Sequence, residues 1–304
     1  MTPPERNFAA TKGRGISRRS LLTGVAALGA LGAAGCSRVA AEGEVEGGDL
    51  LERLRDSGTV KVGIANEPPF GYINDEGEAT GEAPEIAKVI FRRLGVENVE
   101  PVTVDFSALI PGLKAQQFDV VSAGMFINPT RCAQVLFSDP DYLMLDAFIV
   151  PKGNPKNIRN YDDVAQKGLT LATGQAYAEI DYALGNGVPS GKLLILPDQV
   201  AGLEAVATGR VDAFAGTNVT VTTVAEGRDR VEATEPFQPY LDGEPALGAG
   251  GFAFRPTEQN LRDAFNEELL KLKENNYEGL LEIVGPFGFT QAEMTDLTAE
   301  ELCA

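Results

Sequence analysis

In the stretch "GMFINPTRC", residues 124–132, Gly124, Phe126 and Arg131 fall within eight positions, directly behind the apolar run "FDVVSA". A guanidinium is a planar fork that meets a carboxylate with two charge-assisted hydrogen bonds. A glycine lets a small molecule approach the backbone closely. Open α/β sheets bind ligands beyond the carboxyl ends of their strands, and this stretch leaves such an end. The chemistry implied is the holding of an anionic group beside an aromatic ring. The chain has no histidine, which excludes histidine catalysis, imidazole metal ligation and a histidine pH switch. No metal or cofactor is expected.

The elements around this stretch alternate. "DLLERLRDSG" reads as a short helix ended by glycine and "TVKVGIA" as a β-branched strand. "GEAPEIAKVIFRRLG" has Pro84 in a first turn that tolerates it, a stripe of Ile86, Val89, Ile90 and Leu94, and Gly95 as stop. Through "FSALIPGLKAQQ" and "FDVVSAG" the pattern is that of an α/β lobe with a largely parallel sheet. A second set follows in "LTLAT", "AYAEIDYAL", "KLLIL", "DQVAGLEAVATG" and "RVDAFAG". Its last strand and "FDVVSAG" share a plan, with Asp212 and Asp119 as turn residues. The extended stretches "LDAFIVPKGN" and "LGAGGFAFRP" read as two crossings between lobes, and "NLRDAFNEELLKLKENNYEGLLEIVG" as one long helix that returns to the first.

Residues 1–20 carry five basic side chains against Glu5, and the apolar stretch "LLTGVAALGALGAAG" follows. This is an export signal, too short in its apolar part for the roughly 20 residues that span a bilayer. "SRRSLL" resembles a twin-arginine motif, and "AAGC" resembles a lipobox that would make Cys36 the acylated residue. The domains expected are the signal over 1–35, a flexible acidic tether over 36–48, a first lobe over 49–148, a second over 149–247, and a return to the first over 248–304. Removing residues 1–35, with five basic and one acidic side chain, takes the net charge from −18 to −22. Such a surface disfavours nucleic acid and anionic lipid as partners, so membrane attachment would be by the lipid alone. Once Cys36 is acylated no thiol remains but Cys132 and Cys303, and a disulfide between them is expected in an oxidising compartment.

"VGIANEPPFGY", "LIPGLKAQQFDVVSAGMFINPTR" continuing through "QVLFSDPDY", and "GRVDAFAGT", in this order, resemble the solute-binding proteins of ABC importers, in the branch that binds polar amino acids. The resemblance covers nearly the whole exported chain. It implies a two-lobe α/β periplasmic-binding-protein fold on a two-strand hinge, a monomer that holds a ligand in its cleft without chemistry, and delivery to the importer's permease subunits. It assigns Arg131 to the ligand carboxylate and Gly124 to a backbone contact. It also places Phe70, Phe106 and Phe126 at ligand-contact positions.

Two departures bear on the ligand. Phe126 stands where the branch usually has a hydroxyl, and Thr217 where it has the Asp that neutralises an α-ammonium group. Aromatic faces attract diffuse cations by roughly 0.5 to 2 kcal/mol per contact. A carboxylate with a diffuse cation describes a compatible solute, and the chain resembles the ectoine and hydroxyectoine-binding proteins in particular. Glu67 would pair with the ring N–H groups of an amidinium, which a quaternary ammonium lacks; a helix-capping or surface role is its alternative. From the second lobe, Gln175 and Ala176 are candidates through backbone amides at a helix N-terminus, and Thr217 and Asn218 through their side chains. Two other readings stay open: a polar amino-acid receptor, which needs another acid in place of the missing Asp, and an exported dehydratase with Glu67 as its acid.

Overall fold

The computed structural model describes residues 49–304; the export signal, Cys36 and the tether lie outside them. The first helix, Leu50–Ser57, starts where the Asp49 side chain accepts the Leu51 N–H and stops at Gly58, whose φ of 70° is left-handed. It leads into the strand Thr59–Ile64. The helix Glu82–Arg93 buries Ile86, Ile90 and Phe91, with Val89 half-buried at the edge of the stripe.

Two sheets result, built on one plan. In the first, Asn98–Thr103, Thr59–Ile64 and Val120–Phe126 run parallel, and Gly248–Phe254 joins antiparallel beside the last. In the second, Leu193–Leu196, Leu171–Gly174 and Ala213–Thr217 run parallel, and Asp146–Pro151 takes the antiparallel place. Each sheet thus forms the heart of one lobe of a periplasmic-binding-protein fold. The chain crosses from Tyr142–Met144 in the first sheet to Asp146–Pro151 in the second, and returns into Gly248–Phe254. The carboxyl ends of Val120–Phe126 and Ala213–Thr217 lie at these crossings, since Phe126 pairs with Gly250 and Thr217 with Asp146.

The sequence echo between the lobes has a structural counterpart. Asp119 accepts the Lys61 N–H at 3.1 Å, and Asp212 accepts the Thr170 N–H at 2.8 Å, so each ties the start of its strand to the neighbouring one. Asp119 also meets Arg255 and Asp212 meets Lys156. Both aspartates are structural, well away from the crossings.

The expected single long C-terminal helix is corrected. Gln259–Val284 is broken at Glu274–Tyr277, where Asn275, Asn276 and Tyr277 adopt left-handed φ of 53°, 62° and 64°. Its first part packs Phe265 against Phe91, Phe252 and Phe254 of the first lobe. The tail ends in the helix Ala299–Cys303, and a disulfide joins Cys303 to Cys132 with Cα atoms 5.7 Å apart.

Candidate functional site

Arg131 is set by its local sequence. Asn128 caps the short helix Pro129–Cys132 by accepting the Arg131 N–H at 2.9 Å, and Pro129 supplies a first turn with its φ already helical. The side chain is turned inward and is buried. Its Nη1 donates to the Phe126 carbonyl at 2.6 Å, and its Nη2 reaches across to the second lobe to donate to the Ala176 carbonyl at 2.9 Å. Burial lowers its pKa, opposed chiefly by Glu179, yet a guanidinium stays charged throughout.

Around Arg131 lies a cavity holding about 340 Å³ of space between atoms, part of it open to solvent. First-lobe Glu67, Phe70, Phe106, Gly124, Phe126 and Arg131 line it, facing Tyr177, Ala178, Glu179 and Thr217 of the second lobe. All six first-lobe residues singled out in the sequence therefore meet in one place. Phe70 and Phe126 both pack on Tyr142, with ring centroids 5.3 and 6.3 Å away. Phe106 differs from them: the Arg131 guanidinium sits 5.4 Å from its ring centroid, and Tyr177 meets it edge-on at 5.3 Å. One face of Phe106 thus serves the arginine.

Gly124 carries φ of 60°, and a Cβ there would stand 2.3 Å from Cδ1 of Phe70. The glycine admits the Phe70 ring as well as leaving backbone at the cavity wall. Its carbonyl accepts from the Tyr142 hydroxyl at 2.7 Å.

The second-lobe expectations need revision. The helix expected from Ala176 begins at Glu179, so Gln175 and Ala176 do not present helix N-terminal amides. The Gln175 N–H donates to the Leu196 carbonyl, and Ala176, at φ of 65°, turns its carbonyl toward Arg131. Neither residue lines the cavity. Thr217 does, although its hydroxyl accepts the Thr220 N–H and donates to the Thr220 hydroxyl at 3.0 Å. Asn218 lies off the cavity wall; its N–H donates to the Leu145 carbonyl, and its buried Oδ1 has no partner.

Tyr177 and Glu179 escaped the sequence reading. A Cβ at Gly174 would stand 2.5 Å from the Tyr177 ring, so this glycine seats the tyrosine over the strand end. The Tyr177 hydroxyl donates to Glu67 Oε1 at 2.6 Å and approaches Gln199 Oε1 at 3.3 Å. Burial pushes the Glu67 carboxyl up to about 7, a rise that the Tyr177 hydrogen bond resists and Glu179 adds to. Burial likewise pushes Glu179 up to about 7, against its own backbone N–H and the charge of Arg131. A further acid pair, Glu82 with Asp141, lies buried in the core, where burial and mutual repulsion raise Glu82 strongly and keep its proton on.

The chemistry assembled here is recognition: one fixed cation, two carboxyls and aromatic walls between two lobes. Comparison with known proteins agrees. The bacterial extracellular solute-binding proteins, family 3, match residues 60–282. The probable amino-acid ABC transporter periplasmic-binding protein y4tE of Sinorhizobium fredii (strain NBRC 101917 / NGR234) is 36% identical over 266 residues, 86% of this chain and 88% of the relative. The crystal structure of EhuB in complex with hydroxyectoine superposes with a TM-score of 0.75 at 35% identity, covering 84% of this chain and 97% of that one. An ancestral arginine-binding protein bound to glutamine superposes with a TM-score of 0.65 at 28% identity, covering 76% and 98%. With fold, motif order and cleft geometry in accord, the chain belongs to the bacterial extracellular solute-binding proteins, family 3.

Proposed function

We propose that the ligand is ectoine or hydroxyectoine, bound without chemical change outside the cytoplasm by a monomer anchored through lipid at Cys36 and passed to the permease subunits of an ABC importer. The observation that carries this reading is the placing of Arg131 and Glu67 on one small cavity walled by Phe70, Phe106 and Phe126. A carboxylate meets the guanidinium fork, and a ring cation with N–H donors meets Glu67 between aromatic faces. Thr217 brings no negative charge to the place where an α-ammonium group would look for one. The likeness to EhuB, whose structure holds hydroxyectoine, supports the same reading.

One observation favours a second reading. Glu179 is an acid of the second lobe at the cavity wall, and it could neutralise an α-ammonium in place of the missing Asp at 217. The likeness to the ancestral arginine-binding protein bound to glutamine fits this alternative. Calorimetric titration with ectoine, hydroxyectoine and a set of amino acids separates the two: ectoine-type ligands should bind far more tightly than any amino acid.

A further inference from the structure

Glu67 and Glu179 are 7% and 3% exposed, and they reach the same cavity from opposite lobes. Among the described residues neither stands in an ion pair within 4.0 Å. Among the described residues Arg131 is the one basic group lining that cavity, and it gives Nη1 and Nη2 to the Phe126 and Ala176 carbonyls. The titratable groups that act on Glu179 from the elements around it are Arg131, Glu67, Asp146, Tyr161, Tyr177 and Tyr182. Asp146 is itself occupied by the Tyr161 hydroxyl at 2.6 Å. Acids thus outnumber bases around Glu179, and a buried carboxylate left without a cation is costly. Without a ligand these carboxyls hold their protons; once ionised, they take their positive charge from the ligand.

The geometry of the missing charge is set by the two walls. A primary ammonium carries its N–H donors on one atom and is held best by acceptors gathered on one side. An amidinium spreads one charge over two nitrogens whose N–H bonds diverge, so acceptors on facing walls suit it. We infer that Glu179 is a second ligand-binding carboxylate, taking the ring N–H turned toward the second lobe while Glu67 takes the one turned toward the first. The inference rests on the amidinium carboxylate reading of the site. It makes the ligand itself a bridge between the lobes, with one carboxylate on each side of its cation, and gives the cavity a means of rejecting ligands with a single N–H or none.

The test uses residues 37–304, ectoine, and its two isomers methylated on one or the other ring nitrogen, titrated calorimetrically. Wild type should bind ectoine and lose roughly tenfold or more with each isomer. Glu179→Gln should weaken ectoine by a similar factor and should lose little further with one isomer, the one whose methyl replaces the N–H facing Glu179, while remaining sensitive to the other. Glu67→Gln should show the converse. Equal affinity of wild type for ectoine and either isomer would overturn the inference without any variant. So would a Glu179→Gln protein as sensitive to both isomers as wild type, the result of a merely structural role. A wild type that binds an amino acid but no ectoine would overturn the ligand reading first, and this inference with it.

Discussion

The Tyr177 hydroxyl donates to Glu67 Oε1 at 2.6 Å across the cleft, joining a residue of the second lobe to one of the first. With the Arg131 bond to the Ala176 carbonyl at 2.9 Å, it makes two polar contacts that exist only when the lobes meet. Under the proposed ligand reading, contact between the lobes and ligand recognition would use the same side chains.

Replacing Tyr177 by Phe keeps the ring contact with Phe106 and removes the hydroxyl. A hydrogen bond to a charged group is worth about 1.5 to 3 kcal/mol, so Tyr177→Phe should weaken ectoine binding on the order of tenfold or more. Calorimetry checks it. Tighter binding would show that the hydroxyl competes with the ligand for Glu67.

Arg131→Ala should nearly abolish binding, because a ligand carboxylate drawn into the cavity would lose its cationic partner, at a cost of about 2 to 5 kcal/mol. Arg131→Lys should fail almost as badly, since a lysine has no fork to meet a carboxylate while still serving the Phe126 and Ala176 carbonyls. An affinity within threefold of wild type in either variant would place the anionic group elsewhere.

Stability should depend on pH in an uncommon direction. Burial raises Glu67 and Glu179 from 4.5 to about 7 in the folded protein. An unfolded carboxyl gives up its proton near 4.5 while the folded one keeps it to about 7, so this contribution is fully present below 4.5 and is lost as pH rises through 7. At about 1.36 kcal/mol per pKa unit, each group is worth at most about 3 kcal/mol. Thermal unfolding without added ligand should show Tm falling between pH 5 and 8, with a flatter profile in Glu67→Gln. An identical slope in the variant would contradict the assignment.

The disulfide anchors the loop that carries Arg131. Cys132 follows the arginine directly and is tied to Cys303 across 171 positions. Closing so long a loop stabilises by about 2 to 5 kcal/mol through the unfolded chain. Denatured protein of residues 37–304 without reductant should show no free thiol, and Cys303→Ser should lower both Tm and affinity. Unchanged affinity in that variant would show that the helix Pro129–Cys132 is held by its Asn128 cap and its packing alone.

What the sequence showed and what it hid divide along the reach of the interactions. Alternating strands and helices, and the glycines that end them, are local, and so were legible. The first-lobe site was legible through the motifs that carry Glu67, Phe70, Gly124, Phe126 and Arg131. Tyr177 and Glu179 were not, because they enter the cavity only through a delayed helix start after left-handed Ala176, with Gly174 making room for the tyrosine ring. The raised Glu82 carboxyl was equally hidden, since it depends on Glu82 and Asp141, nearly 60 positions apart, being buried together. The break at Asn275 and Asn276 did leave a signal: paired asparagines tolerate the left-handed conformation, and the helical periodicity outweighed them in the reading.

In the proposed function, Arg131, Glu67 and the surrounding rings select an amidinium carboxylate. The most direct measurement of this selection is calorimetric titration of residues 37–304 with ectoine, hydroxyectoine, glycine betaine, arginine, glutamine and cystine under one set of conditions. Ectoine or hydroxyectoine should bind tightly, every amino acid at least a hundredfold more weakly, and glycine betaine, which has no N–H for Glu67, weakly or not at all. An amino acid binding as tightly as ectoine, or more tightly, would contradict that selection.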